Sequence, residues 1–176
     1  MSTLKTNAIT TVAGKPILNS TGSILQVVST IKSDVFSTTS STMTDVTGLS
    51  VNITPTSTSS KILINYSVNM GNTGQYNLAA GDVTRNGIAI ALGDAVGSRQ
   101  RCIFGTQEGG AIHGDMRCYA GTFLDSPSST STLTYQVRVR SEGVYTAYVN
   151  RSNESDGDSS FSQRGSSVIT VMEVSG

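Results

Sequence analysis

The sequence contains no tryptophan, one histidine, two cysteines and three prolines in 176 residues. Charged residues make up only 14% of the chain, and their formal net charge is zero. Such a chain lacks the basic surface with which proteins bind nucleic acid or anionic membranes. It also has no apolar run near the roughly 18 residues that a membrane-spanning helix needs. We therefore expect neither nucleic-acid binding nor membrane insertion.

The scarcity of cysteine gives little support for a fold held together by disulfides. The residues near the N-terminus lack a basic segment followed by an apolar core, so we expect no signal peptide and no oxidising compartment. Cys102 and Cys118 are then expected to be partly buried thiols, and a disulfide between them is the less favoured alternative.

What the chain does contain favours β structure. Serine and threonine make up roughly a quarter of the residues, and there are 18 glycines. Hydroxyl side chains compete for backbone hydrogen bonds and glycine is entropically costly in a helix, so this composition disfavours long helices. Together with frequent threonine and valine, it predicts an all-β fold with many turns.

Two segments show the alternation of apolar and polar residues that is typical of a half-buried strand. In residues 61–70 the apolar side chains all share one face, and we expect the opposite, polar face to meet water or a polar partner. Residues 133–139 repeat the pattern. The apolar faces consist of Ile62, Ile64, Tyr66, Val68 and Met70 in the first segment and Leu133, Tyr135, Val137 and Val139 in the second.

Further strands are predicted at short intervals along the chain. Asn86-Gly87 separates two of them and predicts a tight hairpin, because a type I′ turn needs positive φ at both central residues. Eight or more short strands in one domain favour a sandwich or jelly roll over an open sheet. The additional strands are predicted at residues 23–31, 48–54, 77–85, 88–92, 101–104, 116–124, 144–150 and 167–174.

The final predicted strand and the first 22 residues differ from the rest. Residues 168–174 are apolar on both faces, which favours a central strand whose outer face contacts another subunit; burial under a loop is the alternative. Residues 1–22 hold too little apolar surface to be stable alone. We interpret them as an arm that docks on another protein, and a frayed terminus is the alternative. The arm's candidate contact residues are Ile9, Val12, Ile17 and Leu18.

A search for catalytic or metal-binding patterns finds none. His113 lies in a glycine-rich stretch without a nucleophile motif, and we interpret it as a surface-loop residue. Its spacing from the cysteines fits no zinc pattern, and the acidic residues 154–158 lack the spacing of a calcium loop. We therefore expect no enzyme, no cofactor and no metal site. The long polar loop at residues 150–165 is of a kind that is often functional.

Several segments resemble tail-fibre-like virion proteins of phages that infect marine and freshwater bacteria, cyanophages especially. Together these segments span most of the chain. They are LNSTGSILQVV at residues 18–28, FSTTS at 36–40, TDVTGL at 44–49, TPTSTSSKIL at 54–63, LDSP at 124–127 and SVITVMEV at 167–174.

The resemblance implies a single jelly-roll β-sandwich over residues 23–176, similar to the tumour-necrosis-factor and C1q folds and assembled as a homotrimer. Residues 1–22 would then attach it to another phage tail or capsid protein. The final strand would face the threefold axis through Ile169 and Val171. The protein would be part of the virion, assembled in the host cytoplasm.

Three roles fit this assignment, and the first is favoured. A tail-fibre or tail-tip module would bind a host surface glycan or protein, with aromatic residues in polar loops stacking on sugars; each aromatic could equally fill its own core. A capsid decoration protein, either cement or head fibre, is the second role, and a glycan depolymerase is the third. The candidate receptor-loop aromatics are Tyr76, Phe104 and Phe161.

Overall fold

The computed structural model describes residues 21–72, 78–107, 116–152, 160 and 162–176. Within these residues the regular secondary structure consists of strands alone, which confirms the expected all-β class. The strands are β1 (Ile24–Lys32), β2 (Phe36–Thr38), β3 (Thr44–Ile53), β4 (Lys61–Asn72), β5 (Leu78–Arg85), β6 (Ile88–Ile90), β7 (Phe104–Gln107), β8 (Arg117–Asp125), β9 (Leu133–Arg140), β10 (Ala147–Val149) and β11 (Ser167–Val174).

The strands form two antiparallel sheets that pack as a sandwich. In the first sheet the order is β1-β11-β4-β10-β2, and β8 pairs with the other edge of β4. In the second sheet the order is β3-β9-β5-β6, and β7 also pairs with β5. Both sheets contribute inward side chains to one hydrophobic core.

The two clearest predicted strands are confirmed, with the faces that their alternation indicated. All five apolar residues of β4 and all four of β9 named above are buried in the core. A period of two puts every second side chain on the same face of a strand, so the apolar set enters the core together. Both strands are central in their sheets: β4 lies between β11 and β8, and β9 lies between β3 and β5.

The Asn86-Gly87 hairpin is also confirmed. Arg85 pairs with Ile88 across a two-residue turn that joins β5 to β6. The φ angles are 50° at Asn86 and 82° at Gly87, so both central residues adopt the left-handed region that this turn requires. The Asn86 side chain also accepts a hydrogen bond from the backbone N–H of Thr134 at 2.8 Å, which ties the turn to β9.

In the first sheet, β10 and β11 lie one after the other along the same edge of β4. Asn150 follows β10 with a φ of 67° and is fully buried. Its Nδ2 donates to the backbone oxygens of Lys32 and Asp34, and its Oδ1 accepts from the Ser167 hydroxyl at 2.6 Å. These bonds join the end of β1, the end of β10 and the start of β11.

A polar cluster joins the two sheets at one end of the sandwich. Arg85 Nη1 on β5 donates to both oxygens of Asp125 on β8, at 2.7 and 2.8 Å. The Tyr135 hydroxyl on β9 donates to the same carboxylate at 2.7 Å. Burial raises the pKa of Tyr135, and the Asp125 carboxylate raises it further, so this hydroxyl stays protonated as a donor.

Candidate functional site

The outward face of the first sheet carries three cross-strand rows of side chains, each running over β1, β11, β4 and β8. We call the outer two the apolar rows and the middle one the polar row, and together they form the apolar face. The first apolar row consists of Val27, Met172, Leu63 and Leu124, and the polar row consists of Ser29, Thr170, Asn65 and Thr122. The second apolar row consists of Ile31, Val168, Ser67 and Ala120, and Ser67 is its one polar side chain.

The apolar face exposes large hydrophobic side chains at both of its edges. Val27 is 56% exposed and Ile31 is 70% exposed on β1, while Leu124 is 49% exposed on β8. Between them, Met172 and Leu63 are half-buried. A contiguous apolar surface of this kind marks an interaction site more often than isolated exposed hydrophobic residues do.

The polar row is made only of groups that both donate and accept hydrogen bonds. The hydroxyls of Ser29 and Thr170 lie 2.7 Å apart. The Thr122 hydroxyl donates to Oδ1 of Asn65 at 2.6 Å. Among the described residues, Nδ2 of Asn65 has no hydrogen-bond partner, so its two N–H groups are available as donors.

None of the twelve side chains in the three rows is ionisable. Lys61 pairs with Val174 just beyond the first apolar row and marks the border of the uncharged region. Depletion of charge is a property of the buried centre of protein interfaces. The apolar face therefore has the composition of a surface that loses its water on association.

The outward face of the second sheet has the opposite character. Arg138 on β9 donates from Nε and Nη2 to the two oxygens of Asp82 on β5, at 2.9 and 2.7 Å. This bidentate pair raises the pKa of Arg138. Farther along, Thr134 donates from its hydroxyl to Oδ1 of Asn52 at 2.7 Å. An ion pair and a hydroxyl-amide bond thus link neighbouring strands on this face.

Part of the second sheet's outward face is also covered by residues 91–103, which we call the strap. Arg140 on β9 donates to Oε1 of Gln100 at 2.5 Å, and β9 lies beyond β5 from the edge at which the strap ends. This bond therefore spans the outward side of β5, and the strap's Cys102 lies close enough to Asp82 on β5 for that carboxylate to raise the pKa of its thiol. Asp82 and Thr84 on β5 are only 2% and 1% exposed although they point away from the core.

A buried carboxylate lies at one end of the first sheet. Oε1 of Glu173 accepts hydrogen bonds from the backbone N–H and the hydroxyl of Thr56, both at 2.7 Å, and Oε2 accepts from Nε2 of Gln26 at 2.6 Å. Burial alone would raise the pKa of Glu173, but the nearby Ser60 hydroxyl and the donors of Gln26 and Thr56 outweigh it and lower the pKa to about 2. The carboxylate anchors the chain between β3 and β4 onto β1 and β11.

The structure corrects the residues chosen for a subunit contact on the final strand. Ile169 and Val171 are both fully buried in the core of their own chain, so their side chains are not available to another subunit. The outward residues of β11 are Val168, Thr170, Met172 and Val174. Both faces of this strand carry apolar residues, so its sequence did not indicate which face would pack into the core.

Phe104 is also corrected as a candidate for receptor contact. It is 8% exposed, and its ring lies between Tyr66 and Tyr119 with centroid separations of 5.5 and 5.6 Å. Gly81 provides the space for it, because a Cβ there would lie 2.2 Å from the Phe104 ring. Phe104 therefore fills its own core, the alternative that the sequence left open.

The remaining candidate residues lie outside the described residues. They are the arm residues Ile9, Val12, Ile17 and Leu18, the loop aromatics Tyr76 and Phe161, and His113.

Both cysteines are free thiols in this structure. Cys102 is half-buried in the strap, where burial and the Asp82 carboxylate raise the pKa of its thiol. Cys118 is exposed on β8 and lies 3.1 Å from the Ser67 hydroxyl on the apolar face.

Over the described ranges, no group of three or more histidine, cysteine or acidic residues is placed to hold a metal ion. In the same part of the chain, no helix is long and apolar enough to cross a membrane. The chain matches no protein-family model, and it has no significant match among curated proteins. The apolar face is therefore the candidate site that the described residues present most clearly.

Proposed function

We propose that this chain is a structural module of a bacteriophage virion, a homotrimeric tail-fibre or tail-tip subunit that attaches by its N-terminal arm and binds the host surface. The observation that carries the proposal is the apolar face: an uncharged, partly exposed hydrophobic surface on one side of the sandwich. In this proposal the three subunits contact one another through that face. The loops at the ends of the sandwich then remain free to contact the host.

The strand order supports the jelly-roll part of the proposal. The chain passes from one sheet to the other at six connections, from β2 to β3, β3 to β4, β4 to β5, β7 to β8, β8 to β9 and β9 to β10. The first and last strands, β1 and β11, are neighbours. Repeated crossing between two sheets is what a jelly roll would require, so the strand order supports this part of the proposal.

The point at which the arm leaves the sandwich supports its role in attachment. The backbone N–H of Gly22 donates to the oxygen of Ser175, and the N–H of Ser175 donates to the oxygen of Ser23, both at 2.8 Å. The arm therefore leaves from the same end of the sandwich at which the described chain ends. Three arms on one trimer would add their weak contacts by avidity, and three sets of loops would do the same on a host cell.

Self-association through the apolar face is tested by a matched pair of substitutions. Ile31 is 70% exposed on the apolar face, and Ile88 is 73% exposed in the β5–β6 hairpin. We expect the wild-type protein to be a trimer by native mass spectrometry and light scattering. Ile31→Lys should raise the dissociation constant on the order of 10- to 100-fold, because it removes apolar burial and introduces a charge. Ile88→Lys should leave the trimer intact.

A wild-type protein that stays monomeric at high micromolar concentration would contradict the assembly. Equal effects of the two substitutions would contradict the choice of face.

The virion role needs separate experiments. We expect antibodies or cryo-electron microscopy to place the protein on the tail of the intact particle, at a few dozen copies or fewer. Hundreds of copies on the capsid would favour the decoration role instead. The isolated trimer should bind host cells at micromolar concentration, and clearing of host polysaccharide on a plate would indicate a depolymerase.

A further inference from the structure

The polar row lies between two apolar rows on a surface that the proposed function buries, which is an unfavourable place for unpaired polar groups. Burying a hydroxyl or amide without a hydrogen bond costs free energy, whereas apolar side chains of the same shape would cost none. The three hydrogen bonds that the row's side chains make all join neighbouring strands: Ser29 with the Ile169 oxygen, Ser29 with Thr170, and Thr122 with Asn65. Nδ2 of Asn65 has no partner among the described residues. The row therefore needs further hydrogen-bond partners if the face is covered.

The row's chemistry indicates what can supply those partners. Hydroxyl and amide groups both donate and accept, so the row is complementary to a second copy of itself. A row of carboxylates or ammonium groups would instead repel its own copy. An uncharged row equally offers nothing to attract a charged partner, which favours another copy of this chain as the occupant.

We infer that Ser29, Thr170, Asn65 and Thr122 form a register row, which meets the same row of neighbouring copies and fixes how many subunits assemble and at what height. The inference rests on the proposed function. The row runs across the strands, so in a ring whose rotation axis follows the strands it lies at a single height. Sliding one copy by one row would place amide and hydroxyl groups against Met172 or Val168.

The register row would fix the alignment of subunits in the same way that a buried asparagine sets the register of a coiled coil. Apolar rows pack almost equally well in several offsets, because hydrophobic contact is not directional. A hydrogen-bonded row is satisfied in one offset only and leaves unpaired groups in the others. The apolar rows thus supply affinity, and the polar row supplies specificity at a cost in stability.

The chain offers a chemically matched control for this inference. The Thr122–Asn65 bond on the first sheet has a counterpart in the Thr134–Asn52 bond on the second, with lengths of 2.6 and 2.7 Å. Both bonds run from a threonine hydroxyl to an asparagine Oδ1 on an adjacent strand, and both are exposed. The same pair of substitutions can therefore be made on either face.

The test compares N65L/T122V with N52L/T134V by native mass spectrometry over a concentration series. The wild-type protein and N52L/T134V should show one stoichiometry. N65L/T122V should associate at about tenfold lower concentration and show at least two stoichiometries, because affinity rises while the register is lost. Circular dichroism and thermal unfolding of the dissociated subunit check that both variants fold.

A second variant tests whether the row meets its own copy. Asn65→Asp places like charges against one another in the assembly, so it should dissociate at pH 7 and reassociate below pH ~4 as the carboxyl is protonated. Asn52→Asp should assemble as the wild type does at both pH values.

The outcomes separate the two proposals. If the wild-type protein is monomeric and Ile31→Lys changes nothing, the proposed assembly fails and the register row fails with it. If the wild-type protein is a single oligomer that Ile31→Lys dissociates, while N65L/T122V keeps one stoichiometry and Asn65→Asp stays assembled, only the register row is overturned.

Discussion

The two sheets of this sandwich share one core but present different outward faces. On the first sheet, uncharged side chains such as Val27, Ile31 and Leu124 are exposed in continuous rows. On the second, Asp82 and Arg138 pair with each other, and Gln100 of the strap accepts a hydrogen bond from Arg140. The chain therefore contacts part of the second face with its own strap, whereas the described residues leave the apolar face uncovered. An apolar surface that its own chain leaves uncovered is where a partner gains most from contact.

The largest expected effect comes from breaking the ion pair of the second face. Asp82→Ala should destabilise the subunit by about 2–3 kcal/mol in denaturant unfolding, because it leaves the Arg138 guanidinium partly buried without its partner. Replacing both residues, as in D82A/R138M, should recover much of the loss. Equal losses in the single and double variants would contradict this reason. Self-association should change in neither variant beyond the effect of the lost stability.

The next effect is on the acid stability of the first sheet. Glu173 has a pKa lowered to about 2 from an ordinary value of 4.5. A carboxyl whose pKa is lower in the folded state stabilises the fold above its unfolded pKa, and that contribution is lost as the pH falls from about 4.5 towards 2. Unfolding free energies measured across this range should therefore decrease with acid. Glu173→Gln should be less stable at pH 7 and should lose this part of the pH dependence.

If the unfolding free energy of Glu173→Gln still falls with acid as much as that of the wild type, other carboxylates must cause the loss of stability. The acid dependence of Asp82→Ala provides the comparison. This variant removes a carboxylate of the second sheet that pairs with an arginine, whereas Glu173 accepts hydrogen bonds from neutral donors.

The smallest effect is expected from matched threonine substitutions on the two faces. Thr170→Val lies in the polar row, and Thr134→Val lies in the hydroxyl-amide pair of the second sheet. Each should change the stability of the isolated subunit by less than about 0.5 kcal/mol, as exposed substitutions commonly do. Only Thr170→Val should alter the concentration dependence of assembly in light scattering. If both variants gave the same concentration dependence of assembly, the proposal that only the apolar face takes part in assembly would be contradicted.

Strand positions were predicted well where alternation was regular and less well where pairing was irregular. β3 begins at Thr44 rather than at residue 48, because its pairing with β9 shifts register between Asp45 and Ser50. Within that irregular stretch Val46 and Leu49 are both buried, which interrupts the period of two. The side chain of Gln136 donates to both of their backbone oxygens and closes the irregular stretch.

Short strands were predicted poorly because they depend on distant partners. β2 has three residues and pairs with β10, more than a hundred residues away, so its own sequence carries little signal. The strand predicted over 88–92 ends at Ile90, since Ala91 adopts a φ of 54° where the strap begins. The strand predicted at 144–150 spans only Ala147–Val149, because these are the residues that pair with β2 and β4.

The sequence by itself determined the all-β class, the buried faces of β4 and β9 and the Asn86-Gly87 turn, because each depends on neighbours within a few residues. Only the tertiary structure decided which face of β11 enters the core, since both faces are apolar and the choice depends on packing against β1 and β4. That choice buries Ile169 and Val171 and exposes the rows of Val168, Thr170 and Met172. The candidate site arises from cross-strand rows that bring together residues from four distant segments, and no local pattern encodes such a juxtaposition.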